Sequence, residues 1–327
     1  MRFRNSLRLL MENFKHVYKL FFSKLIITVV ATALCCAFVL PELIEIWTSV
    51  EVEVLVEKLK EAMKVLFSAD PDAMEAIKEE LLGENGAFKG VAKLLASMRT
   101  EILWVCIGCA VVYLIRRFAE TVCHFTTGCM LNDKMSTYAE TPFATSFVAN
   151  LGKACTYSAV YVPVIFLFDV IMVGVAYFIL TLTPALLGGF LSTTLIALCQ
   201  AVKLTFTCRW MPAMTADGYK LSQTIRYADK KEKKQRAKVF STYLVSVYCI
   251  MIINVMAVLA TFGSALIVTV PASYFFLICV QYVNYYTLKG KKYFLTYEQI
   301  ASNPDKGDRE HFFEYISDEE KRETEEN

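Results

Sequence analysis

Histidine is scarce in this chain of 327 residues, with His16, His124 and His311 the three copies. None stands in an HExxH pattern, no group of them has metal-ligand spacing, and no glycine-rich phosphate loop occurs. Nothing supports a Ser-His-Asp arrangement either. No catalytic residue, metal or cofactor is assigned. Cysteine is commoner, with 11 copies, yet none falls between Thr48 and Thr100, so that segment cannot hold a disulfide of its own. Charge is the most telling absence. Between Ala154 and Val202 the single Asp, Glu, Lys or Arg is Asp169, and between Val239 and Leu288 there is none.

What fills those blocks is apolar: the chain is 56% hydrophobic and 13% aromatic, with a mean hydropathy of +0.43. A bilayer core about 30 Å thick takes about 20 helical residues, so each block of about fifty suits two spans and a tight turn. Helices are expected because the backbone in lipid must satisfy its own hydrogen bonds. Pro184, Gly188 and Gly189 mark the turn of the first hairpin, and Gly263 with Ser264 that of the second. Upstream, Leu25 to Leu40 and the shorter run Ile102 to Ile115 add one span each. The fold class is all-α, a polytopic helical membrane protein with about six transmembrane helices. Its expected parts are a basic amphipathic interfacial helix (1–24), a first transmembrane helix (25–47), an extracytoplasmic helical segment (48–100) and a second transmembrane helix with a cytoplasmic extension (101–131). A cytoplasmic amphipathic helix, a transmembrane hairpin and a basic loop follow (132–238), then a second hairpin (239–288) and an acidic tail (289–327).

The cations set the orientation. With the N-terminus in the cytoplasm, Lys58, Lys60, Lys64, Lys78, Lys89, Lys93 and Arg99 lie outside, against the other 27 of the 34 Lys and Arg inside. Both termini are then cytoplasmic in a multi-pass protein of the cell membrane. Lys230, Lys231, Lys233, Lys234, Arg236 and Lys238 join the hairpins on that side, where anionic lipid attracts each cation by about 1 kcal/mol. As a nucleic-acid site the stretch lacks interleaved aromatics and is interrupted by Asp229 and Glu232. Membrane lipids are the expected partners, and no nucleic acid is.

The first residues read as retained, since "CCAFVLPELIE" lacks a small-residue cleavage site. Phe3, Leu7, Leu10, Phe14, Tyr18 and Phe21 recur at helical spacing beside Arg2, Arg4, Arg8, Lys15 and Lys19, the pattern of a helix lying in the interface. In the outer segment Leu55, Leu59, Met63 and Leu66 form one stripe. Met74, Ile77 and Leu81 form another, on a helix with Asp70 as cap, Pro71 at its first position and Gly83 after its end. This outer segment is one candidate surface for a protein partner. The acidic tail is the other, through Phe312, Phe313 and Ile316.

Polar residues at membrane depth are the site candidates. An ionised Asp at the centre of a span costs about 3 kcal/mol, so Asp169 needs a partner, a proton or water. Asn254 occupies the corresponding place in the second block, which would set the two at similar depth if the hairpins are repeats. Gln200 and Gln281 join them. Arg116, Glu120 and His124 share a helix face at i, i+4 and i+8. Arg116 and Arg117 read as the cytoplasmic exit, with that ladder a solvated surface; a helix that stays in the bundle would carry it inward, with Arg116 compensating Asp169. Cys106 and Cys109 have redox-pair spacing but read first as packing residues. Pro163 is placed to kink the helix of Asp169. Gly188 with Ser192, Gly189 with Thr193, and Ala197 with Ala201 allow close helix approach.

Before the second hairpin, Pro212, Met214, Asp217, Gly218, Leu221, Thr224, Ile225, Arg226 and Ala228, then a basic stretch, form a pattern with a shorter echo at Pro142, Phe143, Phe147 and Leu151. This resembles the repeating element of the glycerophosphoryl diester phosphodiesterase membrane domain and allied multi-pass bacterial proteins, over about Arg117 to Leu288. The resemblance implies a helical membrane module in a bacterial cell membrane, without the separate catalytic domain that some of those proteins carry. Two functions follow as expectations: a non-catalytic protein that organises or assists membrane components, or a carrier or channel for a small solute or lipid using Asp169. A thiol redox protein acting through Cys106 and Cys109 is the third.

Overall fold

The computed structural model describes residues 2–68, 87–183, 185–226 and 230–301, and six of its helices are long and apolar enough to cross a membrane. In chain order the helices are α1 (Arg2–Glu12), α2 (Lys15–Trp47), α3 (Val50–Ser68), α4 (Ala87–Ser97), α5 (Arg99–Thr137), α6 (Phe143–Leu182), α7 (Ala185–Thr207), α8 (Trp210–Ala216), α9 (Leu221–Arg226), α10 (Lys230–Thr261) and α11 (Leu266–Lys289). Two short strands, β1 (Tyr293–Thr296) and β2 (Gln299–Ala301), close an antiparallel hairpin. The protein is thus an all-α polytopic helical protein with one small β appendage.

The chain forms two units, Met1–Leu25 with Arg117–Asn327, and Ile26–Arg116. In the first, α6 and α7 pair as one hairpin and α10 and α11 as the other, with α7 packed on α10. Ser192 on α7 donates to the Ala176 carbonyl of α6 at 3.3 Å, showing how closely the small residues near the turn let the rods approach. Much of α6 presents apolar side chains outward, Leu167, Ile171, Val173 and Phe178 among them, as a helix facing lipid must. The core gathers instead around α11, where Phe275, Cys279, Val280, Tyr282, Val283 and Tyr285 are fully enclosed. In the second unit α3 packs on α4.

Several boundaries differ from the expected ones. The helix break near the start falls at Asn13–Phe14 rather than at residue 24, and α2 runs unbroken from Lys15 through Pro41 to Trp47. The face of α1 that carries Asn5, Ser6, Leu9 and Leu10 is buried, and α1 packs on α11 and β1. The stripe expected to meet lipid is therefore divided: Leu10 is buried, whereas Leu7 and Tyr18 are exposed. The amphipathic stretch after Pro142 is the first part of α6 itself rather than a separate helix. Residues 293–301 are not loose acidic tail, because Tyr293, Leu295 and Ala301 are buried in the β-hairpin. The basic run is helical from Lys230 and begins α10 rather than forming a loop. Asp70, Pro71, Met74, Ile77, Leu81 and Gly83, and the tail's Phe312, Phe313 and Ile316, lie outside the described residues.

The motif at Asp217–Gly218 has a clear conformational reason. Gly218 adopts φ +68°, the left-handed geometry that ends helices and suits glycine. The next amide, of Tyr219, then returns to the Ala213 carbonyl at 3.1 Å, closing the end of α8. Met211, Pro212, Ala213 and Met214 are buried there, and α8 rests on α11.

Candidate functional site

Asp169 is held from two other helices. Lys203 of α7 donates to its Oδ1 at 2.7 Å, and a guanidinium nitrogen of Arg117 on α5 lies 3.7 Å from its Oδ2. Arg117 also lies 3.7 Å from Glu120, whose side chain is 5% exposed. Tyr161, two turns before Asp169 on α6, lies beside this cluster. Two acids and two bases thus share one locus. At 2.7 Å the Asp169–Lys203 attraction is about 6 kcal/mol at an effective dielectric of about 20. Desolvation offsets much of this, so the pair fixes how α6 and α7 meet more than it adds net stability.

The geometry follows from helix direction. At 1.5 Å per residue, Asp169 lies about 20 Å from the end of α6 and Lys203 about 27 Å from the start of α7. Side chains lean toward the N-terminus of their own helix. In an antiparallel hairpin Asp169 therefore leans away from the turn and Lys203 toward it, which closes the difference in level. Gln200 lies nearer the level of Asp169, yet its amide points to the Met172 sulfur at 3.5 Å. Arg117, read with Arg116 as marking the cytoplasmic exit, and Lys203 are the cations placed beside Asp169.

The other candidates resolve into helix-to-helix fastenings. Asn254 accepts from Thr269 at 2.8 Å and donates to Ser273 at 3.4 Å, both on the return helix of its own hairpin. It does not pair with Asp169. The two also differ in level, since Asn254 lies about 10 Å from its own turn and Asp169 about 20 Å. Gln281 donates to the Thr207 carbonyl at 3.2 Å, satisfying one of the free acceptors at the end of α7. The expected solvated ladder is not one. Glu120 is buried, and the His124 ring lies 5.5 Å from that of Tyr274, over which Lys24 places its ammonium. The reason is that α5 continues to Thr137 inside the unit, so the two arginines do not end it. Arg236 and Lys238 are exposed, as lipid contact requires, while the side chains of Lys230, Lys231, Lys233 and Lys234 lie outside the described residues.

A second polar seam was not read from the sequence. Arg2 donates to Gln235 at 2.5 Å and to Asn284 at 3.5 Å, and Asn5 donates to the Tyr293 hydroxyl at 3.2 Å. Asp217 accepts from Tyr285 and Lys291, and Tyr286 donates to Asn132 at 3.0 Å. These bonds tie α1, α5, α8 and α10 to α11 and the β-hairpin. Most pair a side chain from another element with the tyrosine-rich end of α11 or the strand after it, while the Arg2–Gln235 bond joins α1 to α10, a burial pattern that local periodicity does not display.

Comparison with family models, with curated proteins and with solved structures finds no match for this chain. The site's own geometry therefore carries the functional argument. Among the described residues no group of three or more His, Cys, Asp or Glu could hold a metal ion. What the cluster can do is fix three helices by charge.

Proposed function

We propose that the protein is a non-catalytic multi-pass membrane protein that organises or assists other membrane components, in a bacterial cell membrane with both termini cytoplasmic. The observation that carries this reading is the state of Asp169. Its carboxylate is bonded to Lys203 of the same hairpin and neighboured by Arg117, so it serves as a fastening rather than as an open acceptor for a solute. The uneven distribution of cations supports the sidedness, with the basic start of α10 at the cytoplasmic face. The Asp217–Gly218 element, which the resemblance to phosphodiesterase membrane domains rests on, supports a structural module because its residues close α8 onto α11.

The test is affinity purification of the full chain from its native membrane, compared with a variant carrying Asp169→Asn and Lys203→Gln together. An organising protein brings down the same membrane components in both, at equal abundance. A carrier loses solute uptake in the variant while its abundance is unchanged, and that outcome overturns the reading.

A further inference from the structure

The helix α10 runs for 32 residues from Lys230 to Thr261, where the turn at Gly263 returns the chain to α11. At 1.5 Å per residue, a hydrocarbon core about 30 Å thick that begins at this turn is used up near residue 241, and the headgroup layer adds about 5–8 Å. Arg236 and Lys238, both exposed, fall within that layer. The helix continues past it: Lys234 stands about 10 Å and Lys230 about 16 Å beyond the core. These outer turns carry Lys230, Lys231, Lys233 and Lys234 against Glu232 alone.

The same end of the unit delivers the acidic tail. The strand β2 stops at Ala301, opposite Tyr293, whose hydroxyl accepts from Asn5 of α1 at 3.2 Å. Arg8 of α1 donates to Gln299 of β2, and at the start of α1 Arg2 donates to Gln235 of α10 at 2.5 Å. The tail therefore leaves the fold beside α1, and α1 leads to α10 over about 9 Å between Arg8 and Arg2. Arg4 and Arg8 are exposed along that path. Residues 302–327 hold ten Asp and Glu against four Lys and Arg, with seven of the acids from Glu314 onward. Glu314 comes 13 residues after Ala301, and a stretch of that length reaches at most about 45 Å, well over the distance required.

We infer that residues 314–326 of the acidic tail are the occupant of the outer turns of α10, docking on Lys230–Lys234 by charge and passing over Arg4 and Arg8. Anionic lipid does not fill that place, because the headgroup layer ends short of those turns. The tail of a second copy competes with one already tethered at an effective concentration on the order of mM. Lipid contact is then left to Arg236 and Lys238. Both segments leave one end of the same unit, so the inference depends neither on the organising role proposed above nor on the compartment that this end meets.

The experiment uses the full chain, with unlabelled and isotopically heavy copies mixed equally, in vesicles of zwitterionic lipid. A carbodiimide on both sides joins carboxylates directly to the amines they touch, and the links are mapped by proteolysis and mass spectrometry. The expected links run within single chains from residues 314–326 to Lys230, Lys231, Lys233 and Lys234. They should outnumber those to the exposed Lys153 and Lys220 by about fivefold, and fall about fivefold between about 50 and 500 mM salt as the Debye length drops to about 4 Å. The inference is overturned if the unaltered chain gives no such links at low salt. It is equally overturned if heavy and light chains are joined as often as chance allows, which makes a second copy the occupant. Loss of the links in vesicles containing about one third anionic lipid makes the membrane the occupant and also overturns it.

Discussion

Replacing Lys203 with Met leaves the Asp169 carboxylate mostly buried, with Arg117 at 3.7 Å as its remaining cation. Breaking one partner from a fully buried pair costs about 3–5 kcal/mol. Here the side chains keep 18% and 10% exposure and Arg117 still neighbours the carboxylate, so about 2–3 kcal/mol is expected. Asp169→Asn should cost less than Lys203→Met, since it leaves a neutral amide beside a lysine that can snorkel outward. The double variant should recover most of the loss, giving a coupling of about 2 kcal/mol. The assay is reversible unfolding in mixed micelles of mild detergent and SDS, with Trp47 and Trp104 changed to Phe. Trp210, whose ring lies 6.3 Å from that of Tyr161, then reports on the cluster. A coupling below about 0.5 kcal/mol would refute the idea that this pair sets the α6–α7 geometry.

Three further outcomes follow from the same packing. Gly218→Ala places a Cβ at φ +68° with open space around it, so its cost is backbone strain alone, about 1 kcal/mol by unfolding in the same micelles. Gly128→Ala meets the Met211 sulfur and the Tyr282 hydroxyl, each at 2.8 Å, and overpacking there should cost about 1–3 kcal/mol, with Met211→Ala in the same chain relieving part of it. Outside the spans, Glu140 hydrogen-bonds Lys15 at 2.5 Å and Lys134 at 3.3 Å, and these bonds hold its carboxyl below the ordinary carboxylate value. A depressed value in the folded state gives stability that is present above the unfolded carboxylate's pKa and is lost as pH falls through the folded one. Melting of Glu140→Gln across acid pH should accordingly lack that part of the wild-type slope.

The charge-free blocks made the spans legible, because lipid and a packed interior both reject unpaired charge and composition records the rejection directly. The second turn followed from Gly263, whereas Gly188 and Gly189, expected at the first turn, lie within α7. Asp169 was legible as a residue needing a partner, but Lys203 was not legible as that partner. It stands one residue beyond the apolar block and resembles an exit charge; only the lean of both side chains along antiparallel helices brings it back. The seat of α1 was hidden for another reason. An apolar stripe beside arginines looks the same whether lipid or protein covers it, and the buried Asn5 and Ser6 were the signs that protein does. At the far end, the alternation of Tyr293 and Leu295, both 1% exposed, was a strand signal masked by the acidic sequence that follows it.

The bond between Arg2 and Asn284 joins residues 282 positions apart, and this has a consequence for biogenesis. During synthesis the opening helix waits beside the ribosome until α11 and the strand after it have emerged. A nascent chain halted before Leu266 should therefore leave its first helix open to protease, and completion of translation should seal it.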